Sequence, residues 1–441
     1  MAVVQISRIQ QRRGKKNTQT GFPQLASGEI GWAIDTQELY IGNGSVSEGA
    51  PYVGNTQILT EHVNILDFIG AYQYQRNNPV IQTGSTFQTP VKRTLQERLD
   101  DRVSVRSFGA KGDGVTDDTN AIQRAIDQLF LNDSTKANVT SRVILNFEPG
   151  VYIITRELTI PPFTHLYGSG MESTVIYLKG TGITGALMRT IDSNSTPGHP
   201  TPFASMTYTE ARPRFITIEN MTLQTDAEDS VLILANADTS TFERVKFFGV
   251  YRNKNTPIGE DPLDTIVQAG VYTRSTSGVH RPDNIKFQSC IFQNTGYGVY
   301  NKTDSNNLGF YDCTFYQLFD GFNIGGDVYG AVNTKIFGCF FDAIDRYGIY
   351  IKLGIGNTSS NNKFMSVGNN GEAYANASYA VIRFDNNPTK YIGAASGESV
   401  GDYFQRNIEL KDQKNNLVSF EPTVKTTGMI TLPNNFCTFA Q

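Results

Sequence analysis

Residues 103–127 read VSVRSFGAKGDGVTDDTNAIQRAID, and the rest of the chain is organised around them. Val103, Val105 and Phe108 alternate as a short strand. A glycine-punctuated turn, Gly109 to Gly114, comes next; glycines supply the positive φ angles such a turn needs. Asp117, Asp118 and Thr119 stand where helix N-caps stand, their side chains placed to accept from the free amides of a first turn. Ala121, Ile122, Ala125, Ile126 and Leu129 follow at helical spacing as one apolar stripe. The two aspartates resemble a catalytic pair, but a helix start explains them fully, so they are read as caps.

Beyond this stretch, Val143 to Ile154 reads as two strands split by Pro149 and Gly150. Leu158–Ile160, Leu166–Gly170 and Val175–Leu178 close a first coil. A repeat then begins. One strand type recurs at Ile218–Leu223, Phe242–Phe247, Phe287–Phe292, Phe310–Phe315 and Ile336–Phe341. Its fourth position is Met221, Val245, Cys290, Cys313 and Cys339, at spacings of 24, 45, 23 and 26 residues. A second strand follows at Gly270–Tyr272, Gly298–Tyr300, Gly321–Asn323 and Gly348–Tyr350. Such a period belongs to one supersecondary unit stacked on the next. The spacing of 45 is one coil with an inserted loop near 249–266; further excursions fall at 274–283 and 193–214. Loops on a rigid scaffold are where binding residues concentrate.

The shapes FGAKGDGVTDDTNAIQRAI, FEPGVYII, LYGSG and TVI strongly resemble the opening of the pectate-lyase-like right-handed β-helix family, and within it the phage tailspike and tail-fibre members. The resemblance implies an all-β chain, a right-handed parallel β-helix whose short helix covers the open first coil. The stretch LASGEIGWAIDTQELYIGNG (25–44) resembles the N-terminal module of phage tail-fibre and receptor-binding proteins. That likeness implies attachment to a virion through residues 1–57, with Arg8, Arg12, Arg13 and Trp32 as its contacts. Within that module Ile30, Trp32 and Ile34, then Leu39 and Ile41, alternate as a hairpin with one apolar face. The basic run Arg8, Arg12, Arg13, Lys15 and Lys16 meets no acid before Glu29. It is either a dock for an acidic socket or a solvated arm.

Residues 58–104 read as a neck with short helices. Ile58, Leu59, Val63, Leu66 and Ile69 suggest one of them, and Val91, Leu95, Leu99 and Val103 step by four. That narrow stripe either joins three chains in a coiled coil or packs on its own domain; its place before the solenoid favours the trimeric neck. The solenoid is assigned to 105–390, and 391–441 to a β C-terminal cap or trimer contact, because a last coil exposes open backbone groups.

Composition sets further bounds. The chain has 441 residues and a net charge of −4, which argues against nucleic-acid binding. Forty-one glycines, 21 Tyr and 27 Phe suit an all-β, turn-rich protein. No apolar run is long enough to enter a membrane, and no signal peptide is visible. Assembly in a host cytoplasm and residence in a virion tail or baseplate are therefore expected. Cys290, Cys313, Cys339 and Cys437 are expected to be reduced, the first three stacked about 4.8 Å apart inside the core. His62, His165, His199 and His280 are scattered, so no metal and no cofactor is expected.

For chemistry, tailspikes of this family often cleave glycans with paired carboxylates, which stand roughly 5 to 9.5 Å apart depending on mechanism. Asp304, Asp312, Asp320, Asp327, Asp342 and Asp345 cluster on the middle coils. Asp342 and Asp345, close in sequence, are the catalytic candidates; a solvated or turn role is the competing reading. Tyr272, Tyr300, Asn323 and Tyr350 are expected as an outward ladder, alternating with inward Val271, Val299, Phe322 and Ile349. That ladder either stacks on sugars or faces the other subunits of a homotrimer. Host-surface glycan adsorption by a tail fibre is the leading expectation. A polysaccharide depolymerase (glycosidase or lyase) and a baseplate or collar scaffold that anchors other fibres are the alternatives.

Overall fold

The structure is a computed structural model. It describes residues 12–17, 22–48, 53–58, 93, 98–99, 101–130, 143–180, 183, 185–190, 212–251, 267–274, 281–301, 303–325, 330–351, 354–367, 382–384, 397–400, 403–404 and 418–420. The chain divides into two compact units, Met1–Asp101 and Arg102–Gln441.

In the larger unit the described strands after the first coil pair in parallel with strands one coil earlier. Ile218 pairs with Phe242, Phe242 with Phe287, Phe287 with Phe310 and Phe310 with Ile336. Leu223, Phe247, Phe292, Phe315 and Phe341 form a second such column. Val271, Val299, Phe322 and Ile349 form a third. Three strand faces per turn, in register along the stack, make the parallel β-helix that the repeat implies. It starts at Arg102, slightly before the expected position, because Val103 pairs with Leu145.

The six-residue repeat is not one straight strand, as the sequence suggested. Left-handed residues turn the chain at fixed intervals. One column of them is Phe215, Thr239, Asn284, Asn307, Asn333 and Gly356. A second is Asn220, Arg244, Ser289, Asp312, Gly338 and Asn361; a third is Asn294, Gln317 and Ala343. Each column repeats with the coil and marks a corner. Asparagine, aspartate and glycine tolerate this conformation best, which explains why they recur there.

Inside, aromatic rings stack along the axis. Phe242, Phe287 and Phe310 lie at successive centroid distances of 4.8 Å. Phe247, Phe292, Phe315, Phe341 and Phe364 stack beside them at 4.5–5.0 Å. Cys290, Cys313 and Cys339 sit just past the second corner, each 1% exposed and unbridged. Their neighbours in the column continue downward as Val245 and Met221 and upward as Asn362. Asn362 accepts from Cys339 N and donates to Ile336 O, so it closes the thiol column with backbone bonds. Burial pushes the Cys290 and Cys339 thiols up, which suppresses the thiolate. Because all three sulfurs are sealed from solvent, all three are expected to resist iodoacetamide in the folded protein and to label fully in denaturant, as read by peptide mass mapping. Labelling of Cys313 under native conditions would contradict the dry column.

The entry segment follows the expected order with two changes. Arg102–Ser104 is a strand, but Val105–Phe108 is a 3-10 turn that buries Val105. The helix Thr119–Phe130 buries Ala121, Ile122, Ala125, Ile126 and Phe130 against the first coil. Asp117 caps it, accepting from Thr119 N. Asp118 does not cap with its side chain. It is 1% exposed and holds the turn instead, accepting from Lys111 N at 2.8 Å and Gly112 N at 2.9 Å. Both carboxylates are thus committed to the local architecture.

The smaller unit carries strands Arg12–Gly14, Ile30–Ala33, Glu38–Gly42 and Asn55–Ile58 in one sheet. Its buried face is the reverse of the expected one. Ala33 and Tyr40 are buried with Leu25, against Phe22, whereas Ile30, Trp32, Leu39 and Ile41 are half-buried and Ile34 is 51% exposed. Small residues decide this: a Cβ on Gly31 would lie 2.9 Å from Leu25 and Phe22, and one on Gly42 would lie 2.0 Å from Ala26 O. Only a face without side chains there admits the 22–26 segment. Ile58 ends a strand rather than starting a helix. The neck residues Leu59, Val63, Leu66, Ile69, Val91 and Leu95 lie outside the described residues.

Past 390 the coils continue. Gly397–Val400, Tyr403–Phe404 and Val418–Phe420 pair in parallel with Asn357–Ser360, Lys363–Phe364 and Ile382–Phe384. Where a cap was expected, the described strands add a further turn. Among the described residues no helix is long and apolar enough to cross a membrane.

Candidate functional site

The third strand face carries most of the predicted site. Its outward positions run from Ile233 through Tyr272, Tyr300 and Asn323 to Tyr350, each paired with the next. The ladder forms as the alternation requires, but it is not an open surface. Tyr272 is 7% exposed, Tyr300 4% and Asn323 1%. Tyr272 and Tyr300 belong to a second apolar cluster outside the solenoid core, with Ala186, Val267, Tyr297 and Phe319 buried and Tyr251 packed against it. Tyr272 and Tyr300 lie 5.5 Å apart, and Tyr297 and Tyr300 4.7 Å. These rings are closed off within one chain. Stacking on a sugar would require their cover to move.

Beside them lies a polar centre that the sequence did not single out. Asp320 is fully buried. Arg346 donates Nε to its Oδ1 at 2.9 Å and Nη2 to its Oδ2 at 2.6 Å. Tyr347 N and Asn323 Nδ2 complete its partners at 3.1 and 2.9 Å. The Arg346 guanidinium in turn lies over Phe319 at 4.4 Å and Tyr347 at 4.9 Å. Two opposite charges so enclosed fix the corner of one coil on the next.

Asp342 and Asp345 do not share a strand face. Asp342 sits on the second sheet, between Tyr316 and Met365. The left-handed residue Ala343 then turns the chain. Asp345 lies past that corner, where Tyr251 donates to its Oδ2 at 2.7 Å. Asp304 accepts from Gly330 N; Asp327 lies outside the described residues. A different acidic pair shares an environment on the first coils. Glu157 accepts from Ala186 N and from Arg189 Nε, both at 3.1 Å. Burial pushes its carboxyl up, and Asp229 adds to the rise. Asp229 is also pushed up by burial. Their positions, 72 residues apart, gave no motif to find them by. Among the described residues no group of three His, Cys, Asp or Glu is placed to hold a metal ion.

In the smaller unit Arg12 pairs with Glu29 at 2.7 Å, and Lys16 with Glu38 at 2.7 Å. Arg13 stands opposite Trp32 on the half-buried apolar face. Arg8 lies outside the described residues. Part of the basic run is thus neutralised locally, and Arg13 remains beside the apolar face.

Comparison with known proteins adds two matches to family models. Residues 102–375 match rhamnogalacturonase A/epimerase, pectate lyase-like. Residues 9–46 match the major tropism determinant N-terminal domain. A 104-residue stretch is 34% identical to the preneck appendage protein of Bacillus phage PZA, covering 23% of this chain and 10% of that protein. A 66-residue stretch is 39% identical to a glucan 1,3-beta-glucosidase of Cochliobolus carbonum, covering 15% and 7%. The matched stretches thus span a tenth or less of these curated relatives. Solved structures with some likeness include ORF18 of Geobacillus virus E2, with a TM-score of 0.42, 18% identity, and 90% of this chain and 71% of that one covered. Tailspike protein 3 of bacteriophage CBA120 has a TM-score of 0.42 and 14% identity, with 84% and 62% covered.

Proposed function

This chain belongs to the rhamnogalacturonase A/epimerase, pectate lyase-like family, and we propose that it serves as a structural virion protein of a tailed phage, a tail-fibre or tailspike-like appendage. The observation that carries the reading is the pairing of two modules in one chain. A small sheet unit matching the major tropism determinant N-terminal domain precedes a parallel β-helix. The stretch shared with a phage preneck appendage protein supports the same assignment.

In this reading residues 1–57 attach the appendage to the tail or baseplate through Trp32, Arg13 and the basic run. The β-helix projects outward as a homotrimer and adsorbs to host-surface glycan. A rigid stack of coils suits that task, because each coil presents its outer residues at a fixed spacing. A depolymerase reading would rest on Asp342 and Asp345. It requires new reducing ends or unsaturated sugars when the protein meets host polysaccharide, and their loss in Asp342→Ala or Asp345→Ala.

Two measurements test the main reading. Antibody against the β-helix is expected to decorate the tail of intact virions, and purified protein is expected to compete with virions for host cells. Labelling away from the tail would remove the appendage assignment. Tail labelling without competition would point to a scaffold that holds other fibres.

A further inference from the structure

A further set of aromatic rings lies on a different face from the tyrosine ladder. On the sheet between the first two corners, the outward positions of three successive rungs are Lys286 and Gln288, Gly309 and Tyr311, then Lys335 and Phe337. Lys286 and Lys335 are exposed, Tyr311 is half-buried and Phe337 is 45% exposed. Gly309 leaves a slot between the two lysines, and Tyr311 fills it. A Cβ on Gly309 would lie 2.7 Å from Tyr311 Cε2, so the ring leans over the glycine and lies along the sheet. Lys286 Nζ stands 5.4 Å from the Tyr311 ring centre. Phe337 continues this aromatic strip on the next rung. Past the corner, Phe340 carries Lys363 Nζ at 5.7 Å.

We propose that this strip is the glycan-contact face, and that its ligand is an acidic polysaccharide lying along the helix axis. The inference rests on the adsorption reading above and gives it a location and a ligand class. Rings laid along a sheet offer a flat apolar surface to the C–H face of a pyranose. The six outward positions of these rungs carry two cations and no acid, so carboxylate or sulfate groups on the sugar would find partners at Lys286 and Lys335. Asp312 at the adjacent corner can accept sugar hydroxyls. The same lysines weigh against burial between subunits, since interface centres are depleted in lysine.

The test uses the full chain on an array of immobilised bacterial polysaccharides, some containing uronic acids and some neutral. Wild type is expected to bind acidic polysaccharides, weakening with salt. Phe337→Ala and Tyr311→Ala are each expected to lose about tenfold in affinity, consistent with a lost buried aromatic contact. Lys335→Glu is expected to lose acidic ligands selectively. Unfolding midpoints and oligomeric state should stay at wild-type values in all three. If wild type binds and the variants bind equally, the face is wrong while adsorption stands. If wild type binds only neutral polysaccharides, the ligand class is wrong. A variant that changes oligomeric state would make this face a subunit contact and overturn the proposal. If wild type binds nothing on the array and does not compete with virions, adsorption itself fails.

Discussion

Asp320→Ala is expected to destabilise the β-helix by about 3–5 kcal/mol, the cost of stranding one member of a buried ion pair. The carboxylate has no contact with solvent, and the Arg346 side chain is only 12% exposed. Removing the acid leaves a guanidinium enclosed by Phe319 and Tyr347, and the Tyr347 amide loses its acceptor. Asn323 Nδ2 loses one too. Asp320→Asn keeps the shape but leaves Arg346 unbalanced, so it should be nearly as harmful. The double variant Asp320→Ala with Arg346→Met should recover much of the loss, because a buried pair replaced by apolar groups is often tolerated. Urea unfolding, followed by rate if the protein does not refold, measures all three. A single-variant loss under about 1 kcal/mol would mean that water reaches the site, contrary to its enclosure.

Phe315→Ala is expected to cost a comparable amount, about 3–5 kcal/mol for an aromatic side chain deleted from a packed core. The ring is fully buried. It stacks on Phe292 at 4.6 Å, nearly parallel, and on Phe341 at 4.7 Å, with Phe322 at 4.7 Å beside it. Neighbouring rungs are held at their spacing by backbone bonds, so the coil cannot collapse into the void. Phe315→Leu keeps an apolar side chain in the slot and should cost less. Phe337→Ala, on the outer face of the same coils, should fall within about 0.5 kcal/mol of wild type. Equal losses at Phe315 and Phe337 would contradict the assignment of inside and outside.

Much of this architecture was legible in the chain itself. The recurrence of a six-residue unit at Phe242, Phe287 and Phe310 set the register in which successive coils stack. The thiol column followed from the same register. The bend inside that unit was not legible, since Ser289, Arg244 and Gln317 give little sign of a left-handed backbone. Alternation also misjudged the smaller unit. It ranked Ile30, Trp32 and Leu39 as core, whereas the residues without bulk, Gly31 and Gly42, are what let the covering segment approach.

Local spacing by itself determined that this chain winds into stacked parallel coils, opened by a glycine turn and one amphipathic helix, because each of those features depends on neighbours within a single coil. Only the tertiary structure decided which outer faces are open. Tyr272, Tyr300 and Asn323 of the ladder are covered, Asp342 and Asp345 are divided by a corner, Asp320 finds Arg346 twenty-six residues away, and Tyr311 lies over Gly309. Solvent exposure and the meeting of charges depend on what other coils and segments place above a residue, and no periodicity within one strand carries that information.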